Sequence, residues 1–134
     1  TGKAELIWQG RDIAFMALGS MVSTAEHICT KLRASDGLEP TLVNARFAKP
    51  VDMDMVRRLL STHRILVTLE ENVGRGGFGQ VVSCYAESRG SACRVVNIAL
   101  PDAYIEHGDV TQLRAMLGID SDSIIAKLKE EKVI

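Results

Sequence analysis

The stretch Glu70-Glu-Asn-Val-Gly-Arg-Gly-Gly-Phe-Gly-Gln80 holds four of the eleven glycines of the chain. It follows an apolar, β-branched run at positions 65–69 and precedes apolar residues that recur at helical spacing from Phe78 to Ala86. This pattern predicts a strand that passes through a glycine turn into a helix. Because open α/β sheets place ligand sites at the carboxyl ends of such strands, the function of this turn is the main question.

The composition is that of one domain covering residues 1–134. The chain has a formal net charge of -1 and a pI near 6.3, and its basic residues are scattered. Nucleic-acid and membrane-surface partners call for a clustered basic face, so neither is predicted. No apolar run approaches the ~20 residues that span a bilayer. We expect a soluble, cytoplasmic protein, and the missing start methionine at Thr1 suggests a piece of a longer chain.

Strand and helix patterns alternate on both sides of the glycine turn. Two extended runs at 5–8 and 13–18, separated by Gly10-Arg11, predict an antiparallel pair at one sheet edge, with the second strand buried on both faces. Further strands are predicted at 40–44, 65–69 and 94–99, and helices after Ser20, Asp52, Gly77, Asp109 and Ser121. The predicted fold is therefore α/β, a three-layer, open, mostly parallel sheet of about five strands with one antiparallel edge strand.

Three functions fit the letters of the glycine stretch. Residues 74–81 match the glycine-rich loop of protein kinases, but no lysine occurs between 51 and 126 to hold the phosphates. Gly74, Gly76 and Gly79 also satisfy the dinucleotide fingerprint, yet Glu70 and Glu71 crowd the strand end with negative charge. The last strand also ends without the acid that would hold a ribose. The third interpretation is a packing turn, in which glycine permits positive φ and a close approach of helix to strand.

A series of landmarks along the chain resembles one known family. They are Arg46-Phe-Ala-Lys-Pro-Val-Asp52, His63, Glu70-Glu-Asn72, Gly76-Gly77-Phe78-Gly79, and Pro101-Asp102-Ala-Tyr-Ile-Glu-His107-Gly108. In this order they resemble the carboxy-terminal domain of transketolase-like thiamine diphosphate enzymes. The last segment is most similar to the 1-deoxy-D-xylulose-5-phosphate synthases.

The resemblance implies a function for the whole enzyme. Such synthases condense pyruvate with glyceraldehyde 3-phosphate, release carbon dioxide, and supply isoprenoid and thiamine biosynthesis. Their thiamine diphosphate and Mg²⁺ are held by the first two domains of a homodimer, while the third domain supports assembly. The chain lacks the Gly-Asp-Gly segment and downstream Asn of that cofactor site, so the fragment alone is expected to bind no cofactor and to be inactive.

Two alternatives stay open. The chain would also suit the equivalent domain of a transketolase or of a 2-oxo-acid dehydrogenase β subunit, which docks a partner. A nucleotide-binding α/β domain is the second alternative.

Ten residues are candidates for structural or interface roles, and none for catalysis or metal binding. They are Arg46, Asp52, Glu70, Glu71, Asn72, Gly76, Gly77, Gly79, Asp102 and His107. We expect Glu70 to bond backbone amides of the glycine turn or to lie at a dimer or domain contact. Arg46 is its predicted partner in a fork between two loops, and two solvated charges are the alternative.

The remaining histidines and the cysteines have no metal-ligand spacing. His107 is expected to make a structural hydrogen bond, while His27 and His63 are expected at the surface. Cys29, Cys84 and Cys93 are predicted to be buried, reduced thiols.

Overall fold

The computed structural model describes residues 3–46, 51–71, 77–100 and 121–134. The elements in these ranges are β1 (Glu5–Trp8), β2 (Asp12–Ala17), α1 (Met21–Asp36), β3 (Thr41–Asn44), α2 (Met53–Thr62), β4 (His63–Glu71), α3 (Phe78–Ser88), β5 (Arg94–Leu100) and α4 (Ser121–Glu130). The strands form one sheet in the order β1-β3-β2-β4-β5. Only β1 runs antiparallel to its neighbour in this sheet, so the predicted α/β fold with one antiparallel edge strand is confirmed.

The sheet separates two apolar clusters, and within the described ranges a pair of helices covers each of them. Strand β2 alternates between them, because Phe15 and Ala17 face α1 and α4 whereas Ala14 and Met16 face α2 and α3. All residues of 13–17 are at most 1% exposed. The predicted burial of this strand on both faces is thus confirmed, as expected for an inner strand with parallel neighbours on either side.

The predicted pairing of β1 with β2 is wrong, since β1 pairs with β3 through Glu5↔Asn44 and Leu6↔Val43. Both edges of β2 are already occupied by β3 and β4. The connection at Gly10 does not turn back on β2 but crosses the start of β3, where the Gly10 amide donates to Thr41 Oγ1 at 2.9 Å. A short gap between two extended runs therefore did not mean a hairpin here.

The crossing at Gly10 leaves no room for a side chain. A Cβ built there would lie 1.9 Å from the carbonyl oxygen of Glu39 and 2.5 Å from the carbonyl carbon of Pro40. We expect Gly10→Ala to lower the free energy of unfolding by about 1–3 kcal/mol, because backbone atoms must shift. Urea denaturation would measure this, with the exposed neighbour Gln9→Ala as the control. Equal losses in both variants would contradict the expectation.

The cysteines divide into two buried thiols and one exposed thiol. Burial raises the pKa of Cys29 to about 12 and that of Cys93 to about 11, so both stay protonated at neutral pH. Cys84 is exposed, which corrects its predicted burial. The inward face of α3 is formed by Phe78, Gly79, Val82 and Ala86, and position 84 falls outside that spacing.

His63 is buried at 7% exposure, whereas His27 is exposed as expected. The surface position predicted for His63 is wrong because β4 begins directly after α2, and the ring lies between Leu59 of α2 and Thr41 of β3. Its Nδ1 lies 3.1 Å from the carbonyl oxygen of Leu59, and its Nε2 lies 2.7 Å from Thr41 Oγ1. A carbonyl only accepts, so the neutral ring donates from Nδ1 to Leu59 and accepts at Nε2 from the Thr41 hydroxyl.

This buried ring predicts a loss of stability in mild acid. Burial lowers the pKa of His63 below its ordinary value of 6.5, against smaller opposing effects of the Leu59 carbonyl and of Asp12 on β2. The charge of Arg58 on α2 lowers it further. The unfolded chain therefore binds more protons between the folded pKa and 6.5, so the free energy of unfolding falls as the pH falls through that window.

Urea titrations between pH 7.5 and pH 5 would measure this dependence. We expect a shallower slope in His63→Phe, which cannot titrate, than in the unaltered chain. Identical slopes in the two proteins would show that another group causes the loss.

Candidate functional site at the glycine turn

The carboxylate of Glu70 is held against the first turn of α3. Its Oε1 accepts from the amide of Phe78 at 3.0 Å, and its Oε2 accepts from the amide of Gly79 at 2.8 Å. Glu70 is 7% exposed. The contact predicted between Glu70 and amides of the glycine turn is therefore present. Because a helix amino terminus carries unpaired amides and partial positive charge, it stabilises this buried carboxylate.

A second set of side-chain hydrogen bonds joins α3 to β4 and β5. Thr68, fully buried on β4, donates its hydroxyl to Asn97 Oδ1 at 2.6 Å. Asn97 lies opposite Thr68 in the β4–β5 pairing, and its Nδ2 donates to Ser83 Oγ on α3 at 2.8 Å. The sequence analysis did not predict these hydrogen bonds of Thr68, Asn97 and Ser83. The signal was the period of two, which puts Thr68 on the same strand face as Glu70.

The glycines of the turn make room for these polar groups. A Cβ at Gly77 would lie 2.3 Å from Glu70 Oε1. A Cβ at Gly79 would lie 2.7 Å from Thr68 Oγ1 and 2.9 Å from Glu70 Oε2. Close approach, as predicted, explains both glycines. Positive φ, the other reason predicted for the glycines of the turn, does not apply at Gly77, which has φ -62° and ψ 169°, values open to any residue.

Glu71 and Asp52 make separate contacts away from the turn. Glu71 is exposed, and its Oε1 accepts from the hydroxyl of Ser20 at the start of α1. Asp52 caps α2 as predicted, because its Oδ1 accepts from the Met55 amide at 3.1 Å. Its Oδ2 also accepts from the Ala4 amide at 2.8 Å, which ties the chain before β1 to α2.

Arg46 follows β3 at the same edge of the sheet. It is exposed and has φ 65°, and its amide donates to Asn44 Oδ1 at 2.9 Å. The fork between Arg46 and Glu70 stays a prediction. Four other candidates lie outside the described residues, as does the predicted helix at 109–117: Asn72, Gly76, Asp102 and His107.

The arrangement suits packing better than ligand binding. The anion that a helix amino terminus would hold in a nucleotide site is replaced here by the protein's own Glu70 carboxylate. In the described part of the chain, no group of three or more His, Cys, Asp or Glu side chains could hold a metal ion. The described side chains therefore do not form a binding site for the Mg²⁺ of a thiamine diphosphate enzyme. That the chain binds no cofactor stays a prediction.

Residues 2–124 match the protein family described as Transketolase, C-terminal domain. A 1-deoxy-D-xylulose-5-phosphate synthase of Lachnoclostridium phytofermentans is 44% identical over 132 residues, or 98% of this chain and 21% of that protein. The protein of the same name from Nitrosomonas europaea is 39% identical over 129 residues, or 96% and 20%. The chain thus spans about one fifth of the length of these relatives.

Solved structures show the same fold. A split-gene transketolase, described as an inactive β4 tetramer, superposes with a TM-score of 0.80 at 23% identity, covering 96% of this chain and 41% of that one. A transketolase mutant from Pichia stipitis gives 0.61 at 15% identity, covering 96% and 18%. No described helix is both long and apolar enough to cross a membrane. With the match over residues 2–124, the chain belongs to the family of transketolase C-terminal domains.

Proposed function

We propose that this chain is the third, carboxy-terminal domain of a 1-deoxy-D-xylulose-5-phosphate synthase, and that it supports assembly without taking part in the chemistry. The observation that carries the proposal is the Glu70 carboxylate, which occupies the amino terminus of α3 with bonds of 3.0 and 2.8 Å. Because the Glu70 carboxylate occupies it, the amino terminus of α3 is not open to a phosphate group. The residues of the glycine turn act instead by joining β4 to α3.

The activity belongs to the whole enzyme. In this proposal it condenses pyruvate with glyceraldehyde 3-phosphate, giving 1-deoxy-D-xylulose 5-phosphate and carbon dioxide. Thiamine diphosphate and Mg²⁺ would be held by other domains of a cytoplasmic homodimer, and this domain would contact those domains or the second subunit. The synthase names of the relatives support this reading, as does the one-fifth share of their length. The net charge of -1 favours no nucleic-acid or membrane partner.

A chimeric enzyme would test the synthase assignment. The matching 132 residues of the Lachnoclostridium phytofermentans synthase would be replaced with this chain. We expect kcat/KM within about tenfold of the parent, a change of ~1.4 kcal/mol in transition-state free energy. A control chimera would carry the C-terminal domain of the Pichia stipitis transketolase, whose sequence is far more distant. Equal activity of both chimeras, or a correctly assembled but inactive chimera with this chain, would contradict the assignment.

The alternatives predict different binding. A nucleotide-binding domain would take up NAD or ATP, so calorimetry of this chain with each nucleotide separates it from an assembly domain. We expect no saturable heat with either, and saturable binding would overturn the proposal. The docking domain of a 2-oxo-acid dehydrogenase β subunit remains the other alternative, and the chimera tests it.

A further inference from the structure

A cleft of about 300 Å³ lies between α2 and α3. Its lining includes Ser61, two residues before β4, and Ser91, three residues before β5. It therefore lies beside the amino ends of these strands, at the edge of the sheet opposite the glycine turn. Two arginines and a tyrosine also line it, and no carboxylate does so among the described residues.

Arg57 is fixed at one side of the cleft. Its Nε donates to the Tyr85 hydroxyl oxygen at 3.2 Å, and its Nη1 donates to Asp54 at 3.0 Å. The hydrogen bond to Tyr85 raises the pKa of Arg57 above its already high value, so the group is charged at any working pH. Within the described ranges, its Nη2 has no acceptor. The Arg57 guanidinium is thus held in one orientation, and its Nη2 remains available as a donor.

Arg89 stands over the same aromatic ring. Its guanidinium carbon lies 5.4 Å from the centre of the Tyr85 ring, within the distance of a cation–π contact. None of the residues that the structure describes accepts a hydrogen bond from this guanidinium. Tyr85 therefore contacts both guanidinium groups, one at its hydroxyl and one at its ring face.

Of the two serines that line the cleft, Ser61 already donates its hydroxyl to the carbonyl oxygen of Arg57 at 2.7 Å, whereas Ser91 keeps a proton to donate. Ser91 Oγ accepts from the Cys93 amide at 3.1 Å, which leaves the hydroxyl proton available. The amides of Arg89, Gly90 and Ser91 pair with carbonyls of the last turn of α3, so three of the carbonyl oxygens at this helix end already have a donor. The lining of the cleft carries two positive charges, and Asp54, which pairs with Arg57, lies outside it.

We propose that this cleft binds a small oxyanion, a carboxylate or a phosphate group, between Arg57 and Arg89. The planar guanidinium fork matches two oxygens of either group, and a carboxylate or phosphate supplies the acceptors that these donors lack. Leu60 and Ala92 add an apolar wall that a small organic anion would cover. The site is separate from the glycine turn and does not depend on the function proposed for it.

Nuclear magnetic resonance of the ¹⁵N-labelled chain would test the site. Sodium phosphate and sodium acetate are titrated separately, with sodium chloride holding the ionic strength constant. We expect saturable shifts of the Ser91 and Ala92 amides and of the Arg57 Nε signal with at least one of the two anions. Saturation with phosphate alone assigns a phosphate ligand, and saturation with acetate alone a carboxylate ligand.

Three variants decide whether the binding is specific. Arg57→Gln and Arg89→Gln should each weaken binding by about tenfold or more, since each removes a charge-assisted contact. Arg58→Gln removes the same charge from the same helix but lies outside the cleft, and it should leave binding within about twofold, as screened surface charges do. The proposal is overturned if neither anion saturates, or if Arg58→Gln weakens binding as much as the other two.

Discussion

Replacing Gly77 with valine is expected to lower the free energy of unfolding by about 3–5 kcal/mol, through overpacking and loss of buried hydrogen bonds. The backbone of Gly77 is open to any residue, with φ -62° and ψ 169°, so the cost does not come from strained dihedral angles. It comes from the collision of a Cβ with Glu70 Oε1 at 2.3 Å. To make room, Glu70 must leave the amides of Phe78 and Gly79 unpaired in a buried position.

Far-ultraviolet circular dichroism in urea would measure the loss at Gly77. Gln80→Val is the matched control, because it puts the same β-branched side chain on an exposed position of α3 and should cost less than about 1 kcal/mol. Similar losses at both positions would mean that helix propensity, and not the contact with Glu70, explains the effect.

The second large effect is expected at Glu70 itself. Glu70→Gln keeps the shape of the side chain but turns one acceptor into an NH₂ group that faces an amide donor. We expect a loss of about 2–4 kcal/mol in the free energy of unfolding, because a charge-assisted bond disappears and a buried amide loses its partner. Glu87→Gln, exposed on the same helix, should change it by no more than about 0.5 kcal/mol. A Glu70→Gln variant as stable as this control would contradict the assigned role.

Much of this arrangement was predictable because its signals are local in the sequence. Asp52 precedes an amphipathic helix and caps it, and Glu70 stands between a β-branched run and a glycine turn. The layered fold followed in the same way from alternating strand and helix patterns, since right-handed crossovers leave few ways to arrange them. Residues whose partners lie in the next element along the chain could therefore be placed from the sequence.

The errors concern contacts between distant parts of the chain. The partner of β1 depended on whether Gly10 could pass over Glu39 and Pro40, which are about thirty positions away and leave no mark on the letters around Gly10. His63 was predicted at the surface because the hydroxyl that donates to its Nε2 belongs to Thr41, which lies on another strand. Positive φ and close approach were both predicted as reasons for the glycines of the turn, since the sequence does not distinguish a dihedral requirement from a steric one.

The side chain of Glu70, more than the glycines, distinguishes a packing turn from a nucleotide-binding loop. The same spacing of glycines occurs in phosphate-binding loops, where the helix amino terminus is left open for a ligand. Here the acid at the end of the strand fills that position with 7% of its surface exposed. An acidic residue directly before a glycine turn thus favours a closed, structural junction over a nucleotide loop.

A double-mutant cycle between Gly77→Ala and Glu70→Ala tests the central claim that the turn is a packing junction clamped by a buried carboxylate. If the carboxylate is what the new Cβ meets, Gly77→Ala should cost far less once Glu70 has been shortened to alanine. We predict a coupling free energy of about 1.5 kcal/mol or more from urea denaturation of the four proteins. Additivity within about 0.5 kcal/mol would contradict the account, because residues in direct contact do not behave independently.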